Sequence, residues 1–174
     1  MKKLNYLLLP FSFLFLCGFT IDIPECNSDK DEYNLEQCES LAESGDPKAM
    51  FYYGYLYDEG KDVDYDFKLA AKWYKKSAEK GNSLAQLNLG FLYSVGSGVE
   101  KNDKKALEWY LKSAEQDNMH AKFNVARAYL YKSDSTKEEL KQALEWLKDY
   151  DNDGGARYLS YSLEYKLMDM EKNN

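Results

Sequence analysis

Apolar and small residues recur at spacings of three and four through most of the chain, the period of a helix with one buried face. Ala49, Tyr53, Leu56 and Tyr57 fall in this way, and so do Ala70, Trp73, Tyr74 and Ala78. The residues around these runs carry helix-start chemistry. Asp46 ahead of Pro47 offers an N-cap oxygen before a proline at the first helical position, and Asn82 and Asn118 repeat the role further on. Asp66 and Asn102 suit the starts of the intervening helices, and Ser135 with Glu138 has the spacing of a capping box. Gly45 and Gly81 sit where the preceding helices should stop.

The pattern is periodic on a longer scale as well. The run Gly45 to Tyr57 returns as Gly81 to Tyr93 and again as Asp117 to Tyr129, each 36 residues on. A second block travels with it: Leu69 to Ala78 aligns with Lys105 to Ala114, and more loosely with Gln142 to Leu147. Each repeat therefore predicts a hairpin of two helices. Small residues hold fixed places, at Ala49, Ala85 and Ala121 and at Gly54, Gly90 and Ala126, so that a neighbouring backbone comes close while Trp and Tyr rings fill the remaining volume. One hairpin has an apolar face it has no means of burying alone, so the copies must stack and the ends need caps. Leu35 to Ser44 reads as an incomplete second-type helix, through Ala42-Glu43 aligned with Ala78-Glu79 and Ala114-Glu115. Ala156 to Met168 reads as a terminal first-type helix, and residues 169–174 as a polar tail.

The small residue followed by Leu-Gly-x-x-Tyr, then a Gly-x-Gly-Val linker, then Lys-Ala-x-x-Trp-Tyr-x-x-x-Ala resembles the Sel1-like branch of the tetratricopeptide superfamily. Residues 81–114 carry it best, with Gly96-Ser97-Gly98-Val99 and Lys105-Ala106-Leu107-Glu108-Trp109-Tyr110. The first copy has Gly60-Lys61-Asp62-Val63 as its linker, and the third is too short for a glycine linker between Lys132 and Ser135. The resemblance covers residues 35–168 and implies an all-α, right-handed α-solenoid of stacked antiparallel hairpins. It also implies that the first helices line a concave, partner-binding side. By the repeat register the variable residues there are Lys48, Tyr52 and Tyr55; Leu84, Asn88 and Phe91; and His120, Asn124 and Arg127. Aromatics with Arg and Asn suit a protein hot spot, although the same rings at helical spacing also suit the core. Some tetratricopeptide proteins clamp a C-terminal carboxylate with Asn and Lys or Arg; Asn88 falls at one such place, but Phe51 and Tyr55 occupy two others.

The N-terminus changes the setting. Lys2 and Lys3 precede the apolar run Leu7 to Leu16, and small residues follow at Gly18 and Thr20, the layout of a secretory signal peptide over residues 1–20. The run is shorter than a membrane-spanning helix needs. Cys17 raises a lipoprotein alternative, with bulky Leu14-Phe15-Leu16 before it as the argument against. Residues 21–34 form an N-terminal segment. If Cys17 leaves with the signal, Cys26 and Cys38 remain as an even pair, either a disulfide, as an oxidising compartment favours, or two thiols. The expected location is the periplasm or the exterior, with no stable membrane insertion after signal removal.

Charge and residue types exclude several functions. The chain has 23 Lys and Arg against 30 Asp and Glu, a formal charge of −7, which opposes nucleic-acid backbones. The single histidine, His120, has no catalytic partners in its vicinity. Two cysteines without a nearby histidine do not make a four-ligand metal site. Gly96-Ser97-Gly98 has neither the strand before it nor the Gly-Lys-Ser/Thr run of a phosphate loop, and Asp62 to Asp66 lacks the glycine and glutamate of a calcium loop. Some cysteine-rich secreted members of the family are associated with penicillin binding and carry a cysteine pair in each repeat, and these repeats have none. The expectation is a non-catalytic adaptor binding another protein, without cofactor or metal. The alternative is an immunity-type inhibitor whose acidic charge complements a basic secreted toxin.

Overall fold

A computed structural model describes Cys26, residues 35–148, Tyr150 and residues 154–172. The expected signal peptide, Cys17, the rest of segment 21–34, and Asn173 and Asn174 lie outside the described residues. Among those described there are eight helices and no strand: α1 (Leu35–Ser44), α2 (Pro47–Glu59), α3 (Phe67–Glu79), α4 (Ser83–Val95), α5 (Asp103–Ala114), α6 (Met119–Tyr131), α7 (Lys137–Leu147) and α8 (Gly154–Lys172). Each packs on the next in chain order, and α6 also touches α8. The expected all-α stack of hairpins is the observed architecture.

The helix starts follow the capping residues. Asp46, Asn82 and Asn118 each accept the backbone N–H three residues on, at 2.7, 2.9 and 3.1 Å. Asp66 accepts from Lys68 and Leu69 and Asn102 from Lys105. One start is displaced from the sequence expectation. The box at α7 is made by Thr136 and Glu139, not Ser135 and Glu138. Ser135 is buried instead, and its hydroxyl donates to the Tyr129 carbonyl at 2.5 Å. The positive φ expected of a helix stop recurs at Gly45 and Gly81 and falls at the third copy on Asp117, whose carboxylate accepts from the buried Lys122 at 2.9 Å.

The glycine in each first helix is a packing device. A Cβ on Gly90 would lie 2.7 Å from the Tyr110 ring and 3.2 Å from the Ala106 carbonyl oxygen; one on Gly54 would lie 3.0 Å from Tyr74. The rings of α3 and α5 therefore pass directly over bare backbone of α2 and α4. In the third hairpin Leu147 stands at the place of the ring, and Ala126 at the place of the glycine. A second device ties each hairpin shut. The buried Ser77 hydroxyl donates to the Pro47 carbonyl at 2.6 Å, and Ser113, 36 residues later, to the Ser83 carbonyl at 2.7 Å. Tyr150 reaches the Met119 carbonyl in the third copy.

The ends differ from the middle. Cys26 and Cys38 form a disulfide with Cα atoms 5.0 Å apart. Cys38 precedes Tyr74 by 36 residues, so the bridge covers α1 at the place where α3 and α5 carry their ring. At the other end α8 runs to Lys172, past Met168 where the sequence places the end of the array, and Met170 packs on the last core cluster.

Candidate partner-binding face

Residues 48, 52 and 55 share one side of α2, since steps of four and three return to the same helix face. The 36-residue repeat sets Leu84, Asn88 and Phe91 in the same register on α4, and His120, Asn124 and Arg127 on α6. Lys48, His120 and Arg127 are exposed, as are Leu84 and Phe91, whose apolar side chains are half in water. Lys48, Tyr52 and Leu84 line one groove of about 960 Å³ beside the starts of α2 and α4. Asn124 and Arg127 line another of about 760 Å³ between α5 and α6. Arg127 also donates to the Asn124 side chain at 2.8 Å, so these two act as one polar unit.

The other predicted residues are partly structural. Tyr52 and Tyr55 are half-buried and flank the Phe51 ring, with centroids 5.2 and 6.3 Å away, and Phe51 in turn stacks on Tyr74 at 5.7 Å. Asn88 is half-buried beside the Tyr74 hydroxyl. The aromatic side of the first repeat thus leans into the core, whereas Leu84 and Phe91 project from it. Two residues continue the exposed row and were not singled out from sequence: Val95 and Tyr131, the latter 74% exposed. Val95 lies four residues beyond Phe91 and Tyr131 lies 36 beyond Val95. One more helical turn in the register would have reached both.

The titratable groups of the interior serve packing. Tyr74 donates to Asp58 at 3.0 Å. Burial, then the Asp58 charge, holds its phenol protonated far above the ordinary range. Burial also raises the Asp58 carboxyl, and the Tyr74 hydrogen bond partly opposes the rise. Neither opens on the grooves described. His120 is exposed in the first turn of α6. Among the described residues no group of three His, Cys, Asp or Glu side chains is placed to hold a metal ion, and no helix is long and apolar enough to cross a membrane. What the face offers is apolar and aromatic area with a few donors, the means of non-covalent recognition.

Comparison with known proteins agrees with this architecture. The Sel1 repeat matches three times, at residues 47–82, 83–118 and 120–148, together more than half of the chain. A Sel1 repeat protein from Oxalobacter formigenes superposes with a TM-score of 0.60 at 29% identity, over 70% of this chain and 50% of that one. The protein c5321, a protective antigen present in uropathogenic Escherichia coli strains displaying an SLR fold, superposes with a TM-score of 0.65 at 34% identity, over 75% of this chain and 29% of that one. The chitin synthase regulator SKT5 of Saccharomyces cerevisiae is 39% identical over 64 residues, 36% of this chain and 9% of its own length. The chain thus spans half or less of each of these relatives. Sel1 repeats are generally protein-interaction modules and typically non-catalytic. With three matching repeats in register over most of the helical array, the chain belongs to the Sel1 repeat family.

Proposed function

We propose that this chain is an exported, non-catalytic adaptor that holds a partner protein against the faces of α2, α4 and α6. The observation that carries the reading is the row Leu84, Phe91 and Val95 on α4, continued by Tyr131, apolar and aromatic side chains left 45–74% exposed among the described residues. A half-wet row of this kind flanked by Arg127 and Asn124 has the composition of an interface centre. Export, to the periplasm or beyond, is supported by the Cys26–Cys38 bridge, since disulfides persist in oxidising compartments. The immunity-type reading uses the same surface, and the formal charge of −7 is the observation in its favour.

The test is a pull-down with the purified chain from periplasmic extract and from culture medium, repeated with Phe91→Ala and Arg127→Ala combined. Both positions are exposed, so the variant should keep its unfolding midpoint. A specific partner lost on substitution supports the reading, and identification of that partner as a basic toxin selects the immunity form. A partner retained at full strength by the variant would remove these faces from the account.

A further inference from the structure

The helix α8 has an aromatic side that no other described residue covers. α8 buries Ala156, Leu159 and Leu163 against α6 and α7. The opposite side corresponds to the one that α4 covers with α5: Tyr158 and Tyr161 stand 71 residues after Leu87 and Gly90. Tyr158, Tyr161 and Tyr165 are each about two-thirds exposed and Met168 is half-exposed, at steps of three, four and three along one face. Tyr131 borders the stripe, in a shallow groove of about 550 Å³. A second-type helix has no room here in the manner of α5 on α4. A single Cβ at Gly90 would already approach Tyr110 to 2.7 Å, and α8 carries a whole Tyr161 at that place.

We propose that the stripe is the contact between two copies of this chain, with α8 packed antiparallel on α8 about a twofold axis level with residues 163 and 164. The sequence of the face is self-complementary in that arrangement. Antiparallel pairing sets Tyr161 beside Tyr165 of the second copy and Tyr158 beside its Met168, so the rings interleave instead of meeting head-on. The flank agrees. Arg157, Glu164 and Glu171 are exposed at seven-residue steps on one edge of the stripe. A twofold axis keeps that edge on the same side while reversing its direction, so Arg157 meets Glu171 of the second copy at both ends. Glu164 lies near its own copy at the axis and is the one like-charge approach on that edge. Tyr158, Tyr161, Tyr165 and Met168 offer roughly 550 Å² per copy, about 1,100 Å² in total, the size of weak or transient interfaces. A contact of that size is tested over micromolar concentrations, the range in which weak dimers are half-formed.

Sedimentation velocity of the purified chain from 1 to 200 µM, concentrations chosen to span that range, should show a monomer–dimer equilibrium. Tyr161→Arg should raise the Kd by at least about tenfold with the helical signal and unfolding midpoint unchanged. Arg157→Glu should also weaken the dimer, and adding Glu171→Arg should restore it, because only an antiparallel pair brings those positions together. Glu164→Gln should tighten it. A chain that stays monomeric to 200 µM overturns the proposal and leaves the stripe to a different protein, and so does a dimer indifferent to Tyr161→Arg or unrescued by the charge swap.

Discussion

At the scale of single residues, the most informative contact is the one between Tyr74 and Asp58, because it couples packing to pH. Burial raises the folded-state value of Asp58 above its unfolded one, so the protonated form is the one the fold favours. The resulting stability is fully present below the unfolded carboxylate value and is lost as pH rises through the raised one. Asp58→Asn keeps an acceptor for the Tyr74 hydroxyl without the charge. Its unfolding midpoint should exceed that of the parent at pH 7, and the two should converge below about pH 3.5, read from thermal melts across that range. A gap that is constant with pH would show that burial of the charge is not the cause. Gly90 tests packing in the same way. Gly90→Ala gains about 1 kcal/mol of helix propensity, but the new Cβ meets the buried Tyr110 ring at 2.7 and 2.8 Å. Overpacking of that kind costs about 1–3 kcal/mol, so the net effect in urea unfolding should be a loss. Gly54→Ala, whose nearest contact is 3.0 Å, should lose less. Adding Tyr110→Leu to Gly90→Ala should recover part of the loss, since the third hairpin already pairs Ala126 with Leu147.

At the scale of the element, α6 shows how one departure from the repeat is made good by another. α2 and α4 end on left-handed Gly60 and Gly96, whereas α6 ends on Lys132 in an extended conformation. The open carbonyls at its end are satisfied from α8. The three N–H groups of Lys166 Nζ donate to the carbonyls of Tyr129, Leu130 and Lys132 at 3.0, 2.9 and 2.5 Å, and Ser135 Oγ lies 3.3 Å away. Lys166→Met should therefore cost about 2–3 kcal/mol in denaturant unfolding, the scale of a charge-assisted bond plus carbonyls left unpaired. Lys148→Met, which loses only an exposed ion pair within its own stretch of chain, should be near neutral. Elements of this kind mark the limit of what the sequence makes legible. Helix starts were readable because Asp46, Asn82 and Asn118 announce themselves locally, and the repeat register fixed the partners of Gly54 and Gly90. Lys166 was not readable, since nothing near it in sequence says that a helix end 34 residues earlier lacks a glycine. The one-residue displacement from Ser135 to Thr136 has the same origin: the buried demand for a hydroxyl at Tyr129 arises from tertiary structure. The proposed binding face was legible as a register and less so as a surface. Tyr52 and Tyr55 lean on Phe51, and only the folded chain separates such rings from Phe91.

At the scale of the whole molecule, neighbour-on-neighbour packing decides how far a local change travels. Each hairpin leans on its neighbours, so stability in such an array is close to a sum of local and interface contributions, and an end opens more easily than the middle. The Cys26–Cys38 bridge sits at one such end, joined to the cluster of Ala42, Ala49, Met50, Tyr53 and Trp73. Its loop of 12 residues corresponds to about 3 kcal/mol of closure entropy. If that contribution stays local, reduction of the bridge should speed amide exchange in α1 by about a hundredfold, the factor that about 3 kcal/mol represents, while α5 to α7 change by less than about twofold. Hydrogen exchange read by mass spectrometry on oxidised and reduced protein separates the cases, because α1 and α7 fall in different peptides. Protection lost evenly along the chain would mean that the array unfolds as one cooperative body, and the bridge would then be stabilising the helices of the proposed binding face directly. Protection lost at α1 alone would make the disulfide an end cap, covering α1 where a preceding first helix would otherwise lie and leaving the α4 and α6 faces unaffected by redox state.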